Sequence, residues 1–137
     1  MTGIVHFEIT ADDVGAASAF YAQALELLSA PSPFLPGYTI LSDQGQQIGA
    51  IMDRKYQPQP VIVWFAVDDL DAALIRIEAA GGKRAGEINA IPGEGKLVYA
   101  SAPDGTIFGL KQPETVLFQY VDRDFIKMRR PSKMNDF

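Results

Sequence analysis

Five side chains could do chemistry or grip a ligand: His6, Glu8, Tyr38, Trp64 and Tyr99. His6 and Glu8 stand two residues apart in Val-His-Phe-Glu-Ile, which alternates with strand period, so both heads leave one face of a strand and enter the same space. A carboxylate beside an imidazole can raise the imidazole pKa and fix its tautomer, which suits general acid–base catalysis. The same pair can recognise a polar ligand, or form a buried pair that only fills space. Residue types leave all three open. Trp64 is the single tryptophan and shares its strand face with Ile62 and Ala66. Its indole is either a flat platform for a ring or cation or a piece of core. Tyr38 and Tyr99 lie in strand-like runs of unfixed register, so each either faces the site or packs under a helix.

These residues sit on a strand-to-helix unit that occurs twice. Val5–Leu25 and Val61–Gly81 superpose with a shift of 56 positions, bringing Val5 onto Val61, Asp12-Asp13 onto Asp68-Asp69 and Ala16-Ala17 onto Ala72-Ala73. An internal repeat of this length fixes the architecture. Each copy is an alternating run, an acidic pair and a helix. The acidic pairs read as N-caps, where a carboxylate accepts from free N–H groups at the positive end of the helix dipole. The second helix places Leu70, Leu74 and Ile77 on one stripe and stops at Gly81-Gly82.

In chain order the pattern predicts a strand over 4–10 and a helix over 14–28. The proline-rich Ala30–Gly37 segment predicts a loop. Strands are expected over Tyr38–Asp43 and Gln46–Asp53, joined by a turn at Gln44-Gly45, with Gly49 marking a bulge or a close backbone approach. Residues 54–60 read as a linker. The second half repeats the plan: a strand and helix over 61–80, a weakly signalled strand over 83–89 and a loop over 91–95. It ends with a strand over 96–101, a turn at Pro103-Asp104-Gly105 and a last strand over 106–111. A β-α-β-β-β unit leaves one sheet face open. Two such units predict an α+β fold: a curved, cup-shaped mixed sheet with helices outside and His6, Glu8 and Trp64 on the concave face. Such a cup is a default ligand site.

With 137 residues, 47% hydrophobic and 21% charged, the chain suits one domain with one core. A net charge of −5 opposes a nucleic-acid or anionic-membrane surface. The absence of cysteine excludes disulfides, thiolate metal sites and cysteine catalysis. No stretch has the length and hydropathy of a membrane span or signal peptide, so a cytoplasmic location is expected.

The paired units, the HFEI start, the VDDLDAAL segment, the Pro92-Gly93-Glu94-Gly95 loop and the PDGTIFGL ending together resemble the vicinal oxygen chelate superfamily. That group includes glyoxalase I, bleomycin-resistance proteins, fosfomycin-resistance enzymes and extradiol dioxygenases. The small bacterial glyoxalase-like proteins are most similar in pattern. The resemblance spans about residues 4–112. It implies one domain over 1–112, with modules at about 1–53 and 61–112. It also implies metal ligands on the first and last strands of each module, where an open divalent metal polarises substrate oxygens. Carried onto this chain, those ligand positions fall on His6, Ile62, Gly109 and the stretch Ala50–Met52, and only His6 can ligate. The chain has no second histidine. No cofactor is therefore expected, with a divalent metal as the alternative.

The expected function is binding of a small molecule, aromatic or cationic, in the cup through His6, Glu8, Trp64, Tyr38 and Tyr99. The alternative is a lyase, isomerase or dioxygenase of this superfamily with His6 and Glu8 as catalytic residues. A partner-binding module that kept only the scaffold is the third possibility. A homodimer is expected from the superfamily. Residues 113–137 carry Leu117, Phe118, Tyr120 and Phe125, and are expected to pack on the domain or a partner chain.

Overall fold

The computed structural model describes residues 3–114. In chain order these form β1 (Gly3–Ala11), α1 (Val14–Leu25), β2 (Leu28–Pro31), β3 (Tyr38–Asp43), β4 (Gln46–Asp53), β5 (Val61–Ala66), α2 (Leu70–Ala79), β6 (Lys83–Arg84), β7 (Asn89–Ile91), β8 (Gly95–Ser101) and β9 (Ile107–Pro113). The expected packing of the C-terminal extension concerns residues that lie, apart from Pro113 and Glu114, outside the described ones.

Both helices begin as the repeat predicts. The Asp13 carboxylate accepts from the Ala16 N–H at 2.9 Å, and that of Asp69 from the Ala72 N–H at 3.1 Å. Only the second member of each acidic pair caps its helix; Asp12 instead pairs with Arg54 at 3.1 Å. Helix α1 ends three residues earlier than expected. Glu26 takes a left-handed conformation (φ 56°), and the Leu27 N–H then turns back to the Ala22 carbonyl at 2.9 Å, which stops the helix. Leu28 then opens β2, so the expected loop over 30–37 gives up Ala30 and Pro31 to a strand. Pro31 is tolerated because β2, among the described residues, is an edge strand paired only with β3. The expected strand over 83–89 is also broken. Gly86, at φ 148°, separates β6 from β7, and each pairs independently with β8.

The nine strands of the described residues form one sheet, with order β2-β3-β4-β1-β5-β9-β8-β6 and β7 paired with β8. The modules join where β1 meets β5 antiparallel, setting His6 opposite Trp64, Phe7 opposite Val63 and Glu8 opposite Ile62. Each of these central strands runs parallel to the last strand of its own module, β1 with β4 and β5 with β9. The linker reinforces the joint. Thr10 N–H donates to the Pro60 carbonyl, and the Gln59 side chain bonds both the carbonyl and the N–H of Ile107 at 2.8 Å.

The helices cover one face through two separate cores. Under α1, Leu41 and Ile51 pack with Phe7, Ile9, Ala17 and Tyr21. Under α2, Leu70, Ala73, Val98 and Leu110 pack with Phe65 and Phe108, as strand period predicts for Phe108 and Leu110. Gly49 meets both of its expectations. Ile48 is an extra residue between the Leu41–Gly49 and Ser42–Gln47 pairs, and a Cβ on Gly49 would lie 2.5 Å from the Phe7 ring. The opposite sheet face is the concave one. It carries a third cluster of Met52, Ile62 and Trp64 with Tyr38, Leu97, Tyr99 and Ile107, drawn from both modules. Among the described residues, no helix is long and apolar enough to cross a membrane.

Candidate functional site

Glu8 is the centre of the concave face. It projects from the middle of the sheet and is 3% exposed, so its carboxyl group must find its partners inside the protein. Three donors converge on it. Trp64 Nε1–H and the Tyr99 hydroxyl donate to Oε1 at 2.8 and 2.7 Å, and the Tyr38 hydroxyl donates to Oε2 at 2.7 Å. Each donor arrives from a different strand: β5, β8 and β3. His6 Nε2 lies 2.9 Å from the Tyr38 oxygen. Since the single Tyr38 proton is directed at Glu8, that oxygen accepts from His6, which assigns the proton to Nε2 and leaves Nδ1 as a hydrogen-bond acceptor.

All five candidates from the sequence thus lie in one hydrogen-bonded cluster, though not as expected. His6 and Glu8 do not touch; the Tyr38 hydroxyl stands between them. The expected rise in the His6 pKa is reversed. Burial pushes it from 6.5 down to about 4, and the positive charge of Lys111 adds to the shift. His6 is therefore neutral at pH 7. The Tyr38 and Tyr99 phenols are driven well above the ordinary range, first by burial and then by the Glu8 charge, so both remain protonated donors. Trp64 is 7% exposed, with Tyr99 tilted against it at 4.8 Å between ring centroids. The indole forms the floor of the cup rather than an open stacking platform, because both its N–H and its ring are already engaged.

The strand register tests how a metal would fit. Glu8 pairs with Ala50, and Trp64 with Gly109. Glu8 and Trp64 correspond in the repeat, so Ala50 and Gly109 are equivalent positions, as are His6 and Ile62. The resemblance carries metal ligands to His6, Ile62, Gly109 and the stretch Ala50–Met52, and apart from the His6 imidazole these offer only aliphatic side chains, a thioether and a hydrogen. The Trp64 ring lies over Gly109 so closely that a Cβ there would be 2.1 Å from its atoms. Among the described residues, no three His, Cys, Asp or Glu side chains gather closely enough to hold a metal. The donor set does not fit a superfamily metal centre.

One residue of the concave face was missed. Lys111 lies two positions beyond Gly109 on β9, beside Ala66 of β5 and Leu97 of β8. Its side chain is 15% exposed and its ammonium is 3.6 Å from Glu94. Burial lowers its pKa, opposed by Glu94. Strand alternation carried the signal, because a cup-facing Gly109 places Lys111 on the same face.

No family model matches the chain. Among curated proteins it is 32% identical over 113 residues to "Putative glyoxylase CFP32" of Mycobacterium tuberculosis, a match covering 77% of this chain and 42% of that protein; the Mycobacterium bovis protein of the same name matches equally. The chain thus spans about two fifths of the length of these relatives. Solved structures share the fold. The Mn(II)-bound glyoxalase from Novosphingobium aromaticivorans aligns with TM-score 0.62 and 24% identity over 80% of this chain and 38% of that one. Methylmalonyl-CoA epimerase from M. tuberculosis aligns with TM-score 0.62 and 18% identity over 85% and 91%. A glyoxalase/bleomycin resistance protein/dioxygenase superfamily member from Vibrio splendidus 12B01 aligns with TM-score 0.61 and 17% identity over 83% and 100%. With its two β-α-β-β-β modules joined through β1 and β5, the chain has the vicinal oxygen chelate fold.

Proposed function

We propose that this protein binds a small organic molecule in the cup and does so without a divalent metal. The Glu8 cluster carries this reading. A metal would use open carboxylate and imidazole electrons, but here the carboxylate is met by two phenols and an indole. The indole also covers the backbone where a ligand-bearing side chain would stand. A ligand meets His6 Nδ1, the phenol edges and the apolar surface of Leu97 and Ile107.

The alternative, a lyase or isomerase working by proton transfer, is favoured by the continuous chain His6–Tyr38–Glu8. Two features weigh against it. An imidazole titrating at about 4 is roughly 300-fold less basic than an ordinary one. The carboxyl group beyond Tyr38 is sealed at 3% exposure. Both favour recognition over proton abstraction.

Elemental mass spectrometry of protein purified without chelator is the first test, with metal far below one equivalent expected. A full equivalent of zinc, nickel, iron or manganese overturns the metal-free reading. A thermal-shift screen follows, because a ligand that binds only the folded state raises Tm. Any hit is expected to lose its shift in His6→Ala. Hits that keep the full shift in that variant bind elsewhere and remove the cup from the assignment.

A further inference from the structure

We propose that Glu8 sets the polarity of the cup: through Tyr38 it holds the His6 imidazole as a hydrogen-bond acceptor, so the ligand carries an O–H or N–H donor on an apolar body. This rests on the reading of the cup as a small-molecule site and names the class of molecule that the site takes. Glu8 is then a positioning residue. Its own carboxyl group is sealed at 3% exposure and acts through its neighbours.

The protons of the cluster can be counted. Trp64 Nε1, the Tyr99 and Tyr38 hydroxyls and His6 Nε2 each carry one, and each points at another member of the cluster. None is left over for a ligand. What stays unfilled is lone pairs: His6 Nδ1, which has no partner among the described residues, and the phenol oxygens of Tyr38 and Tyr99. The Lys111 ammonium on the same face is already paired with Glu94. A molecule that enters with an N–H or O–H completes the imidazole. One that offers acceptors alone sets lone pair against lone pair, and in a site withdrawn from water that mismatch weakens binding. Leu97 and Ile107 beside the cluster supply contact for an apolar body.

The sense of the relay is decided at Glu8. Trp64 Nε1–H can only donate, so Glu8 Oε1 is an acceptor. At Oε2 a carboxylate oxygen draws the Tyr38 proton, and the Tyr38 oxygen then accepts from His6 Nε2–H. An amide in the same place works in reverse. In Glu8→Gln the carbonyl must face Trp64 and Tyr99, since the flipped amide would set its amino group against the indole N–H. The amino group then lies at the Oε2 position and donates to Tyr38. The Tyr38 proton turns to His6 Nε2, and the imidazole proton moves to Nδ1. His6 is neutral at pH 7, so these two tautomers are the ones that compete. One atom exchanged in the buried floor thus turns the acceptor offered to the ligand into a donor.

His6 is the single histidine, so long-range proton–nitrogen NMR correlations read its ring directly and without a ligand. In the wild type at pH 7, Nε2 is expected to be the protonated nitrogen and Nδ1 the bare one. Glu8→Gln should exchange the two, which a mere loosening of the floor would not do. Tyr38→Phe cuts the relay and should let both tautomers interconvert, drawing the two nitrogen signals together. It gives an independent reading should Glu8→Gln fail to fold. A wild-type ring protonated on Nδ1, or nitrogen signals indifferent to both substitutions, overturns the control by Glu8. The ligand class is read by calorimetric titration with indole, which donates, quinoline, which accepts, and N-methylindole, which does neither. The wild type should bind indole ~5-fold or more tightly than N-methylindole, the scale of one hydrogen bond, and quinoline no better than N-methylindole. In Glu8→Gln quinoline should overtake indole. Equal binding of indole and N-methylindole by the wild type, or an unchanged order in Glu8→Gln, overturns the donor assignment and leaves the cup reading standing. No binding by any of these probes overturns both.

Discussion

At the scale of single residues, the informative event is the insertion of one hydroxyl. Tyr38 between His6 and Glu8 changes a suspected acid–base pair into a relay whose imidazole is neutral and whose carboxyl group is saturated. The folded-state pKa of His6 lies below its unfolded value, so folding releases a proton wherever the unfolded chain holds one. The associated stability is fully present above pH 6.5, is lost as pH falls from 6.5 towards about 4, and changes no further below that. The total is at most about 3 kcal/mol for a drop from 6.5 to about 4. Carboxylates titrate in the same window, so the measurement must be a difference. His6→Gln keeps a donor for Tyr38 and cannot titrate. Its stability against pH should fall less steeply than that of the wild type between pH 6.5 and 4 and run parallel to it above 7. Parallel curves throughout would show that His6 is not the buried titrating group. Strand period made His6 and Glu8 legible as partners on one face. It could not show Tyr38 between them, because that contact depends on how the β3–β4 hairpin aligns with β1, a pairing far apart in sequence.

At the scale of elements, the cup floor is set by how closely β5 and β9 approach. Trp64 lies flat over Gly109, and no side chain can stand at that position without moving the indole. Gly109→Ala should therefore cost about 3 kcal/mol of stability through overpacking, more than an ordinary glycine substitution in a strand gains from propensity. Shrinking the indole relieves the clash. In the Gly109→Ala/Trp64→Leu double variant the two effects should fail to add, with a coupling of about 1 kcal/mol or more in denaturant unfolding. Strictly additive losses would mean that the ring does not rest on the glycine. The same elements show where sequence reading works and where it stops. Period-two alternation and the repeat located β1, β3, β4, β5 and β9 to within a residue or two, and Asp13 and Asp69 marked both helix starts. The end of α1 was missed because Glu26, not a glycine, adopts the left-handed turn. Strand β2 was missed because prolines read as loop unless the segment is known to lie at an edge. Lys111 was passed over because one lysine in a strand usually points to water, and only the register of β9 turns it inward.

At the scale of the whole molecule, the two modules are expected to unfold as one unit. Each has its own core beneath its helix, which alone would allow them to melt separately. The concave face prevents this. Its cluster takes Met52 and Tyr38 from the first module and Ile62, Trp64, Leu97, Tyr99 and Ile107 from the second. Three hydrogen bonds on Glu8 join β1 and β3 to β5 and β8. Along the seam, β1 and β5 pair from Gly3–Ala66 to Ile9–Val61, and Gln59 in the linker holds the start of β9. Losing either module would leave the Glu8 carboxyl group or its donors buried without partners, at about 1–3 kcal/mol for each unsatisfied group. Thermal unfolding should therefore be one cooperative transition, with calorimetric and van't Hoff enthalpies in agreement. Glu8→Ala removes the shared acceptor and should lower Tm while keeping a single transition, because the seam and the mixed apolar cluster remain. Two resolved transitions in the wild type would show that the modules are energetically independent. The cup would then be a surface between two units rather than the common core that the Glu8 cluster makes of it.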